Sequence, residues 1–343
     1  MNFKPFRVLA LVLFGLIATN FVAAQVTTPV VSTGAATSAN DAKSINDWLL
    51  RMHEASRKRA YIGTYVVSSG GSMSSAKIWH VCEGNHQMER VETLTGAPRS
   101  IFRHNDRVVT FMPDQKVVRS EKRESLGLFP DLLQSADNHI ADFYKVRPEG
   151  VDRVAGVETD VVMLVPKDAM RFGYRVWTEQ KKGLVVKLQT LDTDGRVLEQ
   201  AAFSELQLDA PVKIDKLIQM MGRVDGYRVE QPVLVKTTAS AEGWVLKTPV
   251  AGFKPMSCYK RPAASAASAA GDEPLQWIFS DGLASVSLFV EPFDRQRHDR
   301  ASSMSMGATQ TMMRQLGNHW VTVVGEVPMA TLKLFASGLE HKK

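Results

Sequence analysis

The residues best suited to chemistry in this chain are a thiol and two imidazoles that lie close together, Cys82 with His80 and His86. Cysteine and histidine are the usual protein ligands of zinc. A structural zinc site takes four ligands, commonly in paired spacings, and no fourth ligand stands beside these three. We therefore interpret them as ordinary strand and turn residues, and we expect neither a metal nor a cofactor.

Other short motifs that carry chemistry are incomplete. His53-Glu54 lacks the second histidine of a metalloprotease helix, and Asp192 to Gly195 is better interpreted as a hairpin turn than as a calcium loop. The chain has no G-x-S-x-G elbow, phosphate-binding loop or G-x-G-x-x-G fingerprint. A catalytic triad is defined by geometry rather than by order in the sequence, so an enzyme stays open as an alternative. We predict no catalytic residues and a protein that is not an enzyme.

The clearest secondary-structure pattern in the sequence is the stretch from Met170 to Leu208. It predicts a meander of three strands. Phe172, Tyr174 and Val176 share one face of the first strand, and glycine-bearing turns separate the three segments. A meander of this kind presents a broad apolar surface. We therefore infer first that this chain is a binding protein.

Aromatic residues recur on the predicted strands of the N-terminal half. Core packing is one interpretation, because aromatic side chains dominate protein cores by area. A curved sheet could instead leave part of its apolar face open as a groove for acyl chains. The candidate lipid-binding residues are Trp79, Phe102, Phe111, Phe172, Tyr174 and Trp177.

The periodicity divides the chain into two folded units. A helix is predicted from Ser44 to about Arg59, and period-two segments and turns follow from Tyr61. We predict an α+β protein whose first domain, residues 41–210, is a strongly curved antiparallel sheet with helices against it. Residues 211–240 are predicted to be a linker or a loosely packed helix. Residues 241–341 are predicted to be a small α+β domain with a mobile Ala/Ser loop from Arg261 to Pro274 and a C-terminal helix from Met329 to Glu340.

The N-terminus predicts export. A basic start with Lys4 and Arg7, the apolar run Val8 to Ala18 and a small-residue site ending at Ala24 are typical of a secretory signal peptide. An uncleaved anchor is the alternative, but the run is shorter than the roughly 20 apolar residues that span a bilayer. We predict cleavage after about Ala24, a flexible leader over residues 25–40, and a soluble protein.

The chain has two cysteines, Cys82 and Cys258, and both follow the predicted signal peptide. In an oxidising compartment an even number of cysteines predicts a possible disulfide, although two separate buried thiols are equally compatible with the sequence. The formal charge of +6 is small for a nucleic-acid-binding protein of this length, and we expect no nucleic-acid partner.

Several long stretches make the chain similar to a known family. It resembles the MucB/RseB family of periplasmic regulators of the envelope-stress sigma factor, of the sigma-E or AlgU type. The matching stretches, in order, are Ala55 to Arg57 leading to Tyr61 to Tyr65, Glu89 to Val91, Arg153 to Gly156, Arg171 to Trp177 with Gly183-Leu184, Gly195 to Gln200, Ser280 to Ala284, Phe289 to Pro292, and Val321 to Pro328.

The resemblance implies a fold and a function. The N-terminal domain would be similar to the LolA and LolB lipoprotein carriers, an unclosed antiparallel β-barrel with helices. A periplasmic regulator of this kind would bind the periplasmic region of a membrane-spanning anti-sigma factor, mainly through its C-terminal domain, and protect it from regulated proteolysis. Lipopolysaccharide or lipoprotein acyl chains would release it, and a homodimer is possible. The alternative is a periplasmic carrier of lipoproteins or lipid.

Overall fold

The structure is a computed structural model, and it describes residues 36–122, 129, 140–232, 234–260, 273–298 and 300–342. The predicted signal peptide and most of the predicted leader therefore lie outside the described residues. Residues 261–272 of the predicted Ala/Ser loop also lie outside them. Within the described part of the chain, no helix has both the length and the hydrophobicity of a membrane-spanning segment.

The first half of the chain builds one large sheet. Helix α1 comes first, a run of hairpin-connected strands follows, and a short helix α2 introduces a second run. The elements are α1 (Ala36–Lys58), β1 (Tyr61–Ser69), β2 (Ser72–Glu83), β3 (His86–Thr93), β4 (Ser100–His104), β5 (Arg107–Met112), β6 (Val117–Lys122), α2 (Ile140–Phe143), β7 (Tyr144–Val154), β8 (Val157–Pro166), β9 (Gly173–Glu179), β10 (Val185–Leu191), β11 (Val197–Leu208), α3 (Ile214–Met221) and β12 (Arg228–Glu230).

The order of the strands in this sheet is β12-β6-β5-β4-β3-β2-β1-β11-β10-β9-β8-β7. All neighbours are antiparallel except β12, which runs parallel to β6. The two ends of the order, β12 and β7, do not pair with each other, so the sheet does not close. The prediction of an unclosed antiparallel barrel with helices is confirmed.

The second half of the chain builds a smaller sheet with its own helix. Its order is β13-β15-β16-β17-β20-β19-β18, and β14 pairs with β21 beside it. The elements are β13 (Val235–Lys236), β14 (Trp244–Leu246), β15 (Lys254–Lys260), β16 (Leu275–Ser280), β17 (Ser285–Pro292), β18 (Ser302–Met306), β19 (Thr309–Leu316), β20 (His319–Gly325), α4 (Met329–Gly338) and β21 (Leu339–His341).

Apolar side chains on both faces of the large sheet are covered. Helix α3 packs Ile214, Leu217 and Met221 against strands β2 to β6, and helix α1 packs Leu49 and Met52 elsewhere on the same sheet. In the second half, α4 lies on the smaller sheet and buries its apolar side chains there. Each sheet therefore has its own core, as expected for α+β units.

Three predicted boundaries differ from the structure. Helix α1 begins at Ala36 rather than Ser44, because the alanines of the predicted leader are strong helix formers and extend the helix backwards. Helix α4 ends at Gly338, and the last residues instead form β21. The predicted linker over residues 211–240 contains α3 and β12, which both belong to the first sheet. The domain boundaries themselves stay a prediction.

Candidate functional site

The aromatic residues proposed to bind lipid belong to different packing clusters. Trp79, Phe102 and Phe111 share one face of the sheet, and the last two are buried beneath α3. Trp79 is half-buried, with the Arg90 guanidinium 4.6 Å from its ring. Tyr174 packs with α1 and α2, so these four residues do not converge on one surface.

The other two candidates are also buried. Trp177 packs in the cluster around β1 and β11 and donates its ring N–H to Asp152 Oδ2 at 3.0 Å. Phe172 is 4 % exposed. The structure therefore supports core packing for five of the six residues, and their role in lipid binding stays a prediction.

An aromatic group that the sequence did not single out lies on the same sheet. The rings of Tyr65, Phe129 and Phe203 contact one another, with centroids 5.1 to 6.1 Å apart. Half-buried Val67, Ile101, Leu206 and Leu208 pack against the larger buried cluster to which Tyr65 and Phe203 belong. Burial, with the Glu89 carboxylate, raises the pKa of Tyr65 to about 12. Tyr65 and Phe203 are 5 % and 3 % exposed and Phe129 is half-buried, so the group is a buried aromatic cluster with half-buried apolar side chains at its rim.

The residues that were considered as zinc ligands in the sequence do not form a cluster. His80 is buried, donates its Nδ1–H to the Arg59 carbonyl at 2.7 Å, and stacks on Tyr61. His86 instead faces His104, with Nδ1 and Nε2 3.4 Å apart. No group of three metal-ligating side chains occurs in the described part of the chain.

Arg171 lies fully buried where the two sheets meet. Its Nε donates to Asp281 Oδ2 at 2.7 Å, its Nη2 donates to the Ala251 carbonyl at 2.6 Å, and its Nη1 donates to Asp168. The ring of Phe143 lies 4.2 Å from the guanidinium carbon. Arg171 thus joins the loop before β9 to two loops of the second sheet.

The Asp281 carboxylate is satisfied from several sides. Its Oδ1 accepts the backbone N–H groups of Leu283 and Ala284, and its Oδ2 is 3.4 Å from the Tyr144 hydroxyl. Burial raises the pKa of Asp281 although these N–H groups and Arg171 oppose the shift, and burial also raises the pKa of Tyr144. This junction is a buried, charge-paired contact between the two halves of the molecule.

Glycine is required at one position of this junction. Gly252 has a φ of +83°, and a Cβ built there would lie 2.0 Å from Arg171 Nη2 and 2.7 Å from the Phe143 ring. Nearby, Thr331 Oγ1 in α4 donates to the Met170 carbonyl at 2.8 Å. Several independent contacts therefore hold the sheets together at this end.

A second contact joins the sheets through two turns. The Gly70-Gly71 turn between β1 and β2 meets the Gly307 turn between β18 and β19; a Cβ on Gly70 would lie 3.1 Å from the Gly307 nitrogen. An open depression of about 500 Å³ lies there, lined mainly by small and polar residues. That lining does not suit an acyl chain, which needs an apolar pocket.

Comparison with known proteins identifies both halves. The model of the MucB/RseB N-terminal domain matches residues 44–221, and the model of the MucB/RseB C-terminal domain matches residues 238–340. The chain belongs to the MucB/RseB family. Both domains of the family are therefore present in order, as the resemblance predicted, and the family is one of regulatory proteins.

Individual MucB/RseB relatives match nearly the whole chain. The sigma factor AlgU regulatory protein MucB of Pseudomonas aeruginosa is 29% identical over 87% of this chain and 91% of its own. The sigma-E factor regulatory protein RseB of Haemophilus influenzae is 24% identical over 82% of this chain and 87% of its own. The solved complex of Pseudomonas aeruginosa MucA and MucB is 26% identical, with a TM-score of 0.67, over 88% of this chain and 99% of that chain.

Sequence reasoning missed the junction although both of its charged residues lie in stretches that carry the MucB/RseB resemblance. Arg171 and Asp281 are 110 positions apart, and no pattern in the sequence pairs them. A buried arginine has no periodic signal of its own. The usable clue was only that each residue stands in a stretch shared with the family.

Proposed function

We propose that this protein is a periplasmic regulator that binds the periplasmic region of a membrane-spanning anti-sigma factor and shields it from regulated proteolysis. The observation that carries the proposal is the match of both family domains, in order, to one chain. A solved MucB, 27% identical to this chain with a TM-score of 0.66, is in complex with MucA(peri).

The predicted signal peptide, cleaved after about Ala24, supports export to the compartment where such a partner is exposed. The two-sheet arrangement also supports regulation. A ligand can lower partner binding only as far as its affinities for the bound and free conformations differ. Two halves that meet at two separate places, the Arg171–Asp281 junction and the contact between the Gly70 and Gly307 turns, can supply two such conformations.

Lipid is the second part of the proposal. Lipopolysaccharide or lipoprotein acyl chains would contact the half-buried apolar side chains that pack against the buried cluster of Tyr65 and Phe203, and the lipid-bound conformation would release the anti-sigma segment. Half-buried apolar side chains beside an aromatic group are what an acyl chain needs.

The test combines binding and proteolysis. Isothermal titration of the mature chain with the periplasmic domain of the anti-sigma factor from the same organism should give saturable one-site binding, and the bound domain should resist the first protease of the cascade. Addition of lipopolysaccharide or of a diacylated lipopeptide should restore cleavage. Absence of binding would refute the regulator, and binding that no lipid weakens would refute the lipid signal alone.

The mass measured by light scattering tests the predicted homodimer.

A further inference from the structure

The free edges of the two sheets are protected to different degrees. An unprotected edge strand presents unpaired backbone N–H and C=O groups to any other extended chain, and proteins usually blunt such edges with charges, proline, bulges or short strands. Strand β7 carries several charged residues and an irregularity between Pro148 and Gly150. Strand β12 has three residues, two of them charged, and β13 has only two residues. These three edges are protected.

Among the four edge strands of the large sheet and the smaller sheet in the described part of the chain, β18 is the exception. Its sequence, SSMSM, has no charge and no proline, and all five residues are exposed. Met304 and Met306 are 59 % and 68 % exposed. Large apolar side chains on a free edge are a cost in solution, because they promote pairing with other chains.

The turn after β18 determines which backbone groups are free. Gly307 and Ala308 form a two-residue loop, with Gly307 at a φ of +58° as a type II′ turn requires. In such a hairpin the residues that flank the loop, Met306 and Thr309, form a hydrogen-bonded pair, and the pairs then alternate. The N–H groups of Met306 and Met304 therefore point to β19, and those of Ser303 and Ser305 point to the free edge.

The two faces of the strand differ in chemistry. Met304 lies opposite Thr311 and Met306 lies opposite Thr309, on the face away from the core. Ser303 lies opposite Met312, which packs against the core of the second sheet. A strand added at this edge would gain apolar contacts where its side chains lie beside Met304 and Met306.

The start of β18 is basic. Arg295 and Arg300 are exposed and have no ion-pair partner in the part of the chain that the structure describes, whereas Arg297 pairs with Glu291 and Asp294. The exposed guanidinium of Arg300, two residues before the strand begins, complements a carboxylate on the incoming segment.

We propose that β18 accepts an extended segment of the anti-sigma factor as an additional antiparallel or parallel strand. The segment has apolar residues at alternate positions beside Met304 and Met306 and an acidic residue near Arg300. Main-chain hydrogen bonds to Ser303 and Ser305 supply affinity, and the alternate side chains supply specificity. The inference rests on the proposed function, since it names where on this chain that partner binds.

A single substitution tests the backbone contact. Ser303→Pro removes an N–H that points to the free edge and leaves the bonds between β18 and β19 intact, because proline is tolerated at such positions of edge strands. We expect the affinity for the anti-sigma periplasmic domain to fall roughly tenfold or more. The matched control Ser303→Ala keeps the N–H and should bind as the wild type does. Circular dichroism and thermal unfolding verify the fold of each variant.

Two further measurements keep the proposal falsifiable if Ser303→Pro does not fold. Arg300→Glu should weaken binding and reduce its salt dependence. In the wild-type complex, NMR hydrogen exchange should slow at the Ser303 and Ser305 amides, which are free before binding, and change little at Met304.

The outcomes separate this proposal from the proposed function. If the wild type binds the domain and neither Ser303→Pro nor Arg300→Glu weakens binding, the β18 proposal is overturned while the function stands. If the wild type does not bind, the function itself fails. If Ser303→Pro abolishes only a homodimer seen by light scattering, β18 pairs with a second copy instead and the proposal is overturned.

Discussion

Cys258 illustrates how strongly its surroundings control a single side chain. It lies on β15 opposite Trp277, in the core of the second sheet, and burial with the nearby Glu242 carboxylate raises its pKa to about 11. Cys82 lies on β2 of the other sheet, half-buried, with its Sγ 3.7 Å from the Gly84 carbonyl oxygen. Both are free thiols, so the structure has the separate thiols rather than the disulfide that the sequence left open.

Thiol reactivity follows from this difference. At pH 8 only about one Cys258 side chain in a thousand is a thiolate, and the thiolate is the reactive species. We expect a disulfide-exchange reagent to modify Cys82 in the native protein and Cys258 only after denaturation, with Cys258→Ser removing the second phase. If denatured, unreduced protein released no thiol at all, the two cysteines would be paired and the assignment of two free thiols would be overturned.

Helix α3 is the element whose contribution the sequence underestimated. It has eight residues, and its N-cap position, Lys213, makes no side-chain capping bond. A helix this short is not stable alone, so it depends on packing against the sheet. It covers strands β3 and β4, where Met88 and Phe102 are buried.

Two adjacent residues of α3 test this dependence. Leu217 is buried and faces the sheet, whereas Ile218 is 38 % exposed. Leu217→Ala should lower the free energy of unfolding by about 2 to 5 kcal/mol, because it leaves a cavity in a packed core. Ile218→Ala should lower it by only about 0.5 kcal/mol. Urea unfolding of both variants measures the difference, and equal losses would mean that α3 does not pack as described.

The sequence predicted most strands because their side chains alternate clearly. Tyr61, Gly63 and Tyr65 are buried on β1 while the residues between them are half-buried, which is the period-two signal itself. Strand β18 was not predicted because its serine and methionine side chains are all exposed. The strand therefore has no buried face to contrast with an exposed one. Helix α3 was interpreted as part of a linker because eight residues are too few for a firm helical period.

The candidate site was harder to predict than the fold. An aromatic residue on a strand looks the same in the sequence whether protein or ligand covers it. Phe102 and Phe111 are buried because α3, about a hundred residues later in the chain, packs over them. Which face a distant helix covers depends on tertiary packing, and periodicity within one strand carries no information about it.

At the scale of the whole molecule, the Arg171–Asp281 pair is a buried ion pair between the halves. Both side chains are fully buried, so removing one partner leaves an uncompensated charge in the interior. The pair therefore favours the observed arrangement of the two sheets over any arrangement that separates these residues.

Arg171→Met should lower the free energy of unfolding by about 3 to 5 kcal/mol, and adding Asp281→Leu should recover part of that loss, because the double variant buries no unpaired charge. Arg147→Met is the control: its pair with Glu149 is exposed on the arginine side and should contribute no more than about 1 kcal/mol. Urea unfolding followed by tryptophan fluorescence provides the measurement. A loss for Arg171→Met no larger than that of the control would contradict the assignment.

The position of β1 beside β11 has a consequence for how the chain folds. Every other antiparallel ladder of the large sheet joins strands that are neighbours in the sequence, but β1 pairs Tyr61 with Leu208 and Ser69 with Glu199. To form such a ladder the chain must first close a long loop, which costs conformational entropy. Only afterwards do the contacts of the ladder offset that cost. The two meanders on either side can form quickly and locally. The rate at which the chain acquires its complete sheet is therefore governed by this ladder and by the parallel pairing of β12 with β6, which also joins strands far apart in the sequence.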